Sequence, residues 1–305
     1  MQKHDANWIN YLISSGFPDA KPLATGMEGA VYHLGHGKIA KVWADQSSEK
    51  LERLSALYDD IASSKPPFNT PKILDTRQAQ GRFITIELEL TGKQLREDVA
   101  GGEKQLSSTE VGCFLEVLSG LARVEATAAM KNLAVLDEQK ALWEGHDNWG
   151  TALSALIQRR ATRYGNQLKR AVPDFDAILA RIIDQVEHLN SASLTLIHGD
   201  IAPVNILVDG SSRPISVLDF GFLSTAGDPA FDAAVGCAIF NMYGPHSRQI
   251  EDQLTQAVTG KFGYTPKTLS LYKAAYAAIT SNAYDPNGND GHFEWCTKVL
   301  SRQDF

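Results

Sequence analysis

The side chains best suited to chemistry fall in two short segments. The first is Leu196-Ile197-His198-Gly199-Asp200-Ile201-Ala202-Pro203-Val204-Asn205. The second, with its aspartate fourteen residues beyond Asn205, is Val217-Leu218-Asp219-Phe220-Gly221. Two carboxylates and an amide at this spacing suit phosphoryl transfer, in which spread negative charge must be met by cations and by positioning. Asp219 is a hard oxygen donor suited to Mg²⁺, and the amide oxygen of Asn205 completes a metal shell without adding charge. Asp200 would accept a hydrogen bond from an acceptor hydroxyl and take its proton. A lone aspartate more often caps a helix or closes a turn. The joint spacing argues against that here, since H-G-D-x-x-x-x-N arises by chance on the order of once in a thousand proteins.

Such residues need rigid supports. Strand patterns at Leu194 to Ile197, Ile206 to Val208 and Ile215 to Leu218 flank both segments. Upstream, residues 7 to 15 read as a short helix with Trp8, Ile9, Leu12 and Ile13 on one face. Glycine turns then divide short β-rich runs at Ala30 to Leu34 and Lys38 to Trp43, the mark of an antiparallel sheet. Ser47 or Ser48 caps a helix running to about Ala62, with Leu51, Leu54, Tyr58 and Ile61 at helical spacing. Two prolines within 64–70 break it, and strands follow near 71–77 and 82–90. Helical periodicity then dominates 94–190, including 108–131 and 151–170, and returns over most of 229–302. The change of texture near 90–93 predicts an α+β protein: a small N-terminal antiparallel sheet lobe, 1–92, and a larger, mainly helical C-terminal lobe, 93–305.

Composition narrows the function. With 43% hydrophobic and 21% charged residues among 305, the chain is neither disordered, collagenous nor coiled-coil. Its 29 Lys and Arg against 36 Asp and Glu leave a formal charge of -7, which disfavours nucleic acid and anionic membrane as partners and favours a cationic small molecule. Cys113, Cys237 and Cys296 form no metal-ligand or disulfide pattern. The polar N-terminus lacks a secretory core and no apolar run spans a membrane, so a cytoplasmic location is expected.

The segment from His198 to Asp232 resembles the aminoglycoside phosphotransferase and choline kinase family, small-molecule kinases with a protein-kinase-like two-lobe fold. Protein kinases usually carry arginine where Gly199 stands and an A-P-E stretch further on. Their absence favours a small-molecule acceptor over a protein. The resemblance implies a Mg²⁺-dependent transfer of the γ-phosphate of ATP, with GTP not excluded, to a hydroxyl of a small polar or cationic molecule. The rival reading is a kinase-like module that binds nucleotide or a partner without turnover.

The same resemblance implies roles for further residues. His198 would brace the loop that bears Asp200. Gly227-Asp228-Pro229-Ala230-Phe231-Asp232 matches the family's G-D-P-x-x-D element; Asp228 suits a helix cap, and either Asp228 or Asp232 would brace that loop or border the acceptor. Thr25 to Val31 maps onto the nucleotide loop, with Gly26 and Gly29 admitting phosphates and Lys41 neutralising them. Glu49 and Glu52 are both candidates to hold Lys41, and the family layout favours Glu52. Adenine would bond the backbone near Glu87, Leu88, Glu89 and Leu90. Asp285, Glu294 and Trp295 near the C-terminus would wall the acceptor site, and Trp143 and Trp149 flank a further loop within reach of it.

Overall fold

A computed structural model describes residues 6–26, 28–189 and 193–305; Met27 of the expected nucleotide loop and Asn190 at the end of the helical stretch lie outside them. Helix α1 (Ala6–Ser14) precedes strands β1 (Lys21–Thr25), β2 (Gly29–Gly35) and β3 (Lys38–Trp43). Helix α2 (Ser48–Ser63) and strands β4 (Ile73–Ala79) and β5 (Arg82–Leu88) follow. The strands form one antiparallel sheet in the order β1-β2-β3-β5-β4. Two-residue turns set its register, with φ of +52° and +67° at His36-Gly37 and +50° and +74° at Gln80-Gly81, the left-handed pair that a tight hairpin requires. Ser47 is the cap of α2, its hydroxyl accepting the Lys50 N–H.

Beyond β6 (Lys93–Gln94) come α3 (Ser108–Leu121), α4 (Ala128–Lys131), α5 (Trp149–Ala171) and α6 (Phe175–Glu187). Short strands β7 (Thr195–Ile197), β8 (Ile206–Val208), β9 (Pro214–Val217) and β10 (Thr225–Gly227) lead to α7 (Pro229–Ile239), α8 (Ser247–Phe262), α9 (Pro266–Thr280) and α10 (Gly291–Arg302). Strand β7 pairs with β10, and β8 lies between β6 and β9. The helix expected over 108–131 is interrupted. The Leu196 N–H bonds Val124 O and Glu125 bridges Thr195, so this stretch serves as an edge for β7 before Thr127 caps α4.

The arrangement is the expected α+β, with a small sheet lobe and a larger helical lobe. Its cores divide less simply than the chain does. Tyr32, Leu34, Val42, Ile84 and Ile86 of the sheet pack with Trp8 and Leu12 of α1 in a compact cluster. Leu51, Leu54, Leu57, Tyr58 and Ile61 of α2 belong instead to the large core of the helical lobe, with Phe114, Val117 and Phe231. Helix α2 therefore fastens the two lobes together along its apolar stripe.

Candidate active site

The loop after β7 is held from beneath. His198 is fully buried, its Nε2–H donating to Leu218 O (2.7 Å) and its Nδ1 accepting the Asp200 N–H (3.2 Å). These partners define a neutral ring, and burial lowers its pKa to about 4. The backbone N–H groups of His198 and Gly199 donate to the two carboxylate oxygens of Asp232, at 2.7 and 2.8 Å. Asp232 is itself buried, which raises its pKa to about 7 against the pull of those donors. Gly199 has φ +79°, and a Cβ there would stand 2.4 Å from Leu223 Cβ. No larger residue fits, so the absence of arginine is a packing requirement as well as a sequence feature.

Asp200, Asn205 and Asp219 meet on this support. Asn205 Nδ2 donates to Asp200 O (3.0 Å) and Asp200 Oδ2 (3.2 Å), and the Leu218 N–H donates to Asn205 O (2.8 Å). Burial, and secondly the negative charge of Asp219, push the Asp200 carboxyl up to about 7. Asp219 takes a left-handed backbone (φ +61°), rare for a non-glycine residue, and its side chain is 60% exposed to the cleft. Phe220 anchors the turn, its ring 4.3 Å from the His198 ring and 6.4 Å from Tyr58 on α2. Ser224 adds a second tie, accepting the Gly221 N–H and donating to His198 O.

Across the cleft, Lys41 on β3 points its ammonium at Asp219 Oδ1 (3.6 Å) and lies 3.9 Å from the centre of the Trp43 ring. Burial would depress its pKa, but the charges of Asp219 and Glu28 outweigh that and hold it above the ordinary value. The carboxylate in direct contact with Lys41 is Glu28, in the turn between β1 and β2. The expected pairing with Glu52 is not made. Glu52 accepts the Ser48 hydroxyl (2.8 Å) and Glu49 pairs with Arg53 (2.5 Å), because the apolar stripe of α2 faces the helical core and leaves both glutamates turned from Lys41. Glu28 escaped the sequence reading, and strand register does not signal it: Gly29 pairs with Trp43 and Val31 with Lys41, which sets Glu28 opposite Ala44, whose N–H it accepts, so the contact with the lysine is made by the side chain in the turn.

The two loop glycines differ. A Cβ on Gly29 would lie 2.1 Å from Val42 O, so this glycine lets β2 approach β3, whereas nothing crowds Gly26. On β5, Thr85 and Glu87 share the face of Lys41; the Trp43 Nε1–H donates to the Thr85 hydroxyl (3.0 Å), which donates to Glu87 (2.5 Å). Burial raises the pKa of Glu87. The N–H groups of Leu88 and Glu89 already bond Lys72 O and Gly37 O, which leaves Leu90 at the start of the link between lobes.

Several expected positions are corrected. Asp228 caps α7 through the Ala230 N–H (2.9 Å) and accepts the Tyr272 hydroxyl (2.8 Å), so the bracing expected of it is supplied by Asp232. Asp232 in turn is buried beneath the loop and cannot border an acceptor. Asp285 closes its own turn with the Asn287 N–H and Trp295 is core, packed near Tyr276 and His292; Glu294 sits exposed in the first turn of α10, which does not contradict the place expected for it. Trp143 and Trp149 are also core, their indole N–H groups donating to Ala226 O and the Tyr272 hydroxyl.

The donors present suit a hard divalent cation. Asp219 offers an exposed carboxylate, and with Asn205 Nδ2 committed to Asp200, the amide oxygen of Asn205 is the atom left for a ligand. Among the described residues no group of three His, Cys, Asp or Glu forms a metal site, so non-protein oxygens would have to complete the shell.

Two lobes closing on a cleft with a lysine on the sheet side and aspartates on the helical side define a kinase-like fold. The chain belongs to the APH phosphotransferase enzyme family, whose profile matches residues 19–266. Among solved structures it is similar to APH(2")-IIIa in its complex with GDP and kanamycin, at 14% identity and TM-score 0.65 over 98% of this chain and 100% of that one. It is similar also to APH(2")-IIa with streptomycin and ATP, at 15% identity and TM-score 0.60 over 100% and 98%. The macrolide 2'-phosphotransferase MphH of Brachybacterium faecium matches at 16% identity and TM-score 0.55 over 96% of each chain. No curated protein sequence matches the chain. No helix among the described residues is long and apolar enough to cross a membrane.

Proposed function

We propose that the protein transfers the γ-phosphate of ATP, or of GTP, to a hydroxyl of a small molecule. The carrying observation is the approach of Lys41 on the sheet lobe to Asp219 on the helical lobe, 3.6 Å apart, beside the Asp200–Asn205 pair. Residues 1–92 then form the nucleotide lobe and 93–305 the lobe that presents the acceptor. Asp219 and Asn205 would hold Mg²⁺, which when bound neutralises charge on the phosphates. Asp200, oriented by Asn205 Nδ2, accepts the acceptor's hydroxyl proton at its carboxylate. Lys41 meets the phosphates of the nucleotide, whose oxygens would take the place now filled by Glu28. The backbone near Leu90 receives the base.

The test is a phosphate-transfer assay with Mg·ATP and Mg·GTP over aminoglycosides, macrolides, amino alcohols and sugars. Asp219→Ala should abolish turnover, and Asp200→Ala should slow transfer by roughly a hundred- to ten-thousandfold while sparing nucleotide binding. Undiminished transfer by Asp200→Ala would remove the base assignment. Lys41→Ala with unchanged ATP use would remove the nucleotide-lobe assignment.

A further inference from the structure

Two carboxylates are paired with Lys41 among the described residues, Glu28 and Asp219. The proposed function gives both other work: Glu28 yields to phosphates and Asp219 holds the cation. Glu49 and Glu52 of α2 are engaged with Arg53 and Ser48. What stays at the ammonium is a ring. Lys41 Nζ stands over the face of Trp43, 3.9 Å from its centre, and the lysine side chain is 14% exposed.

The ring is fixed from behind. Lys41 and Trp43 are two residues apart on β3 and so share one face of the sheet. Trp43 is 3% exposed and packs in the core of the helical lobe, although its strand belongs to the sheet lobe. Its indole N–H donates to the hydroxyl of Thr85 (3.0 Å), the residue of β5 that pairs with Lys41 across the two strands. The Thr85 O–H donates in turn to Glu87 (2.5 Å), two residues further along the same face. A carboxylate accepts this hydrogen and so leaves a lone pair of the hydroxyl oxygen for the indole N–H. Trp43, Thr85 and Glu87 are all buried, so water does not compete for these bonds.

Resting on the phosphotransfer reading, we infer that Trp43, oriented by Thr85 and Glu87, is the positioning residue that holds Lys41 for the nucleotide phosphates, in the place of a glutamate from α2. An aromatic face attracts an ammonium through its quadrupole and carries no net charge. It therefore need not leave when phosphates arrive, and it does not repel them as a carboxylate at the same distance would. Lys41 keeps its full charge for the nucleotide, while its long, flexible stem is ordered in advance. Glu28 and Trp43 thus divide the work. The first is exchanged for phosphates, and the second sets where the ammonium stands throughout.

Calorimetric binding of Mg·ADP to the full chain tests this in a double-mutant cycle, with Trp43→Leu and Thr85→Val each made in the parent and in Lys41→Ala. Trp43→Leu should weaken binding by about three- to tenfold in the parent, as loss of a desolvated cation–π contact would, and by less than about twofold in Lys41→Ala. A tryptophan that served only the core would weaken it equally in both backgrounds. Thr85→Val keeps the branched shape but removes the acceptor of the indole N–H. It should weaken binding by about two- to fivefold in the parent, and Thr85→Ser should restore the parent value. Equal losses in the two backgrounds, or Thr85→Val binding like the parent, would overturn the inference; if Trp43→Leu does not fold, the Thr85 variants decide it. Slow acceptor-free hydrolysis of Mg·ATP by the parent chain, lost in Asp219→Ala, would leave the phosphotransfer reading standing while this inference fell. A parent chain that neither binds Mg·ADP nor hydrolyses Mg·ATP would remove that reading instead.

Discussion

On the helical side of the cleft, the His198–Asp200 segment hangs from buried hydrogen bonds to Asp232, Leu218 and Ser224. On the sheet side, Lys41 is held by charge: Glu28, which is 46% exposed, and Asp219, which is 60% exposed. Buried, fully paired polar groups admit few alternative positions, whereas exposed ion pairs exchange readily with solvent and ligand ions. The contrast suits phosphoryl transfer. On the proposed function, the wall that would take the proton is in place beforehand, while the wall that would receive the nucleotide gives up the Glu28 contact as phosphates enter.

The sharpest break of the rigid wall is Gly199→Ala. With φ +79° and a Cβ 2.4 Å from Leu223 Cβ, it should cost about 3 kcal/mol or more of stability, read as a drop in the denaturation midpoint. A substitution tolerated without loss would show that the loop is less constrained than its packing implies. Asp232→Asn comes next. Its amide supplies one acceptor for two N–H groups, and a loss of about 2 kcal/mol with a slower transfer rate is expected. Native stability combined with a full transfer rate would remove its bracing role.

A smaller effect, dependent on pH, tests the packing of α10 through His292. His292 is buried with its pKa lowered to about 4 from an ordinary 6.5, chiefly by burial, so the unfolded chain binds its proton first. The stability it contributes is full above about 6.5 and is lost as pH falls toward 4. Thermal melts should show the parent losing more stability than His292→Gln across that window, and parallel curves would refute the buried neutral ring. The smallest effects separate the two glutamates. Glu28→Gln should tighten Mg·ATP binding by about two- to fivefold by removing a competitor for Lys41. Glu52→Ala should leave nucleotide affinity unchanged; if their effects were exchanged, the pairing seen in the structure would not be the functional one.

Much of this was legible in the chain. The positions of Asp200, Asn205 and Asp219 followed from spacing, because short strands and a tight loop leave little freedom over a few residues. Turn residues such as His36-Gly37 and the Ser47 cap marked their elements, since φ > 0 and orphan N–H groups impose local residue preferences. The α3–α4 interruption was not legible. Nothing local at Ala122 to Ala126 breaks a helix; the pairing with β7, distant in sequence, does so.

The helical wheel of α2 likewise showed which side was apolar without showing which neighbour lay opposite the other side. That left Glu52 a plausible partner for Lys41 until the packing of α2 into the helical core turned it away. Asp228 and Asp232 stand one helical turn apart in the same motif, and burial alone assigns the cap to one and the brace to the other. The sequence by itself determined the order of the elements and the residue types able to carry the chemistry, because those follow from local geometry and chemical identity. Tertiary structure alone decided which carboxylate meets Lys41 and which carboxylate holds the loop of Asp200, because both are contacts between separate segments of the chain.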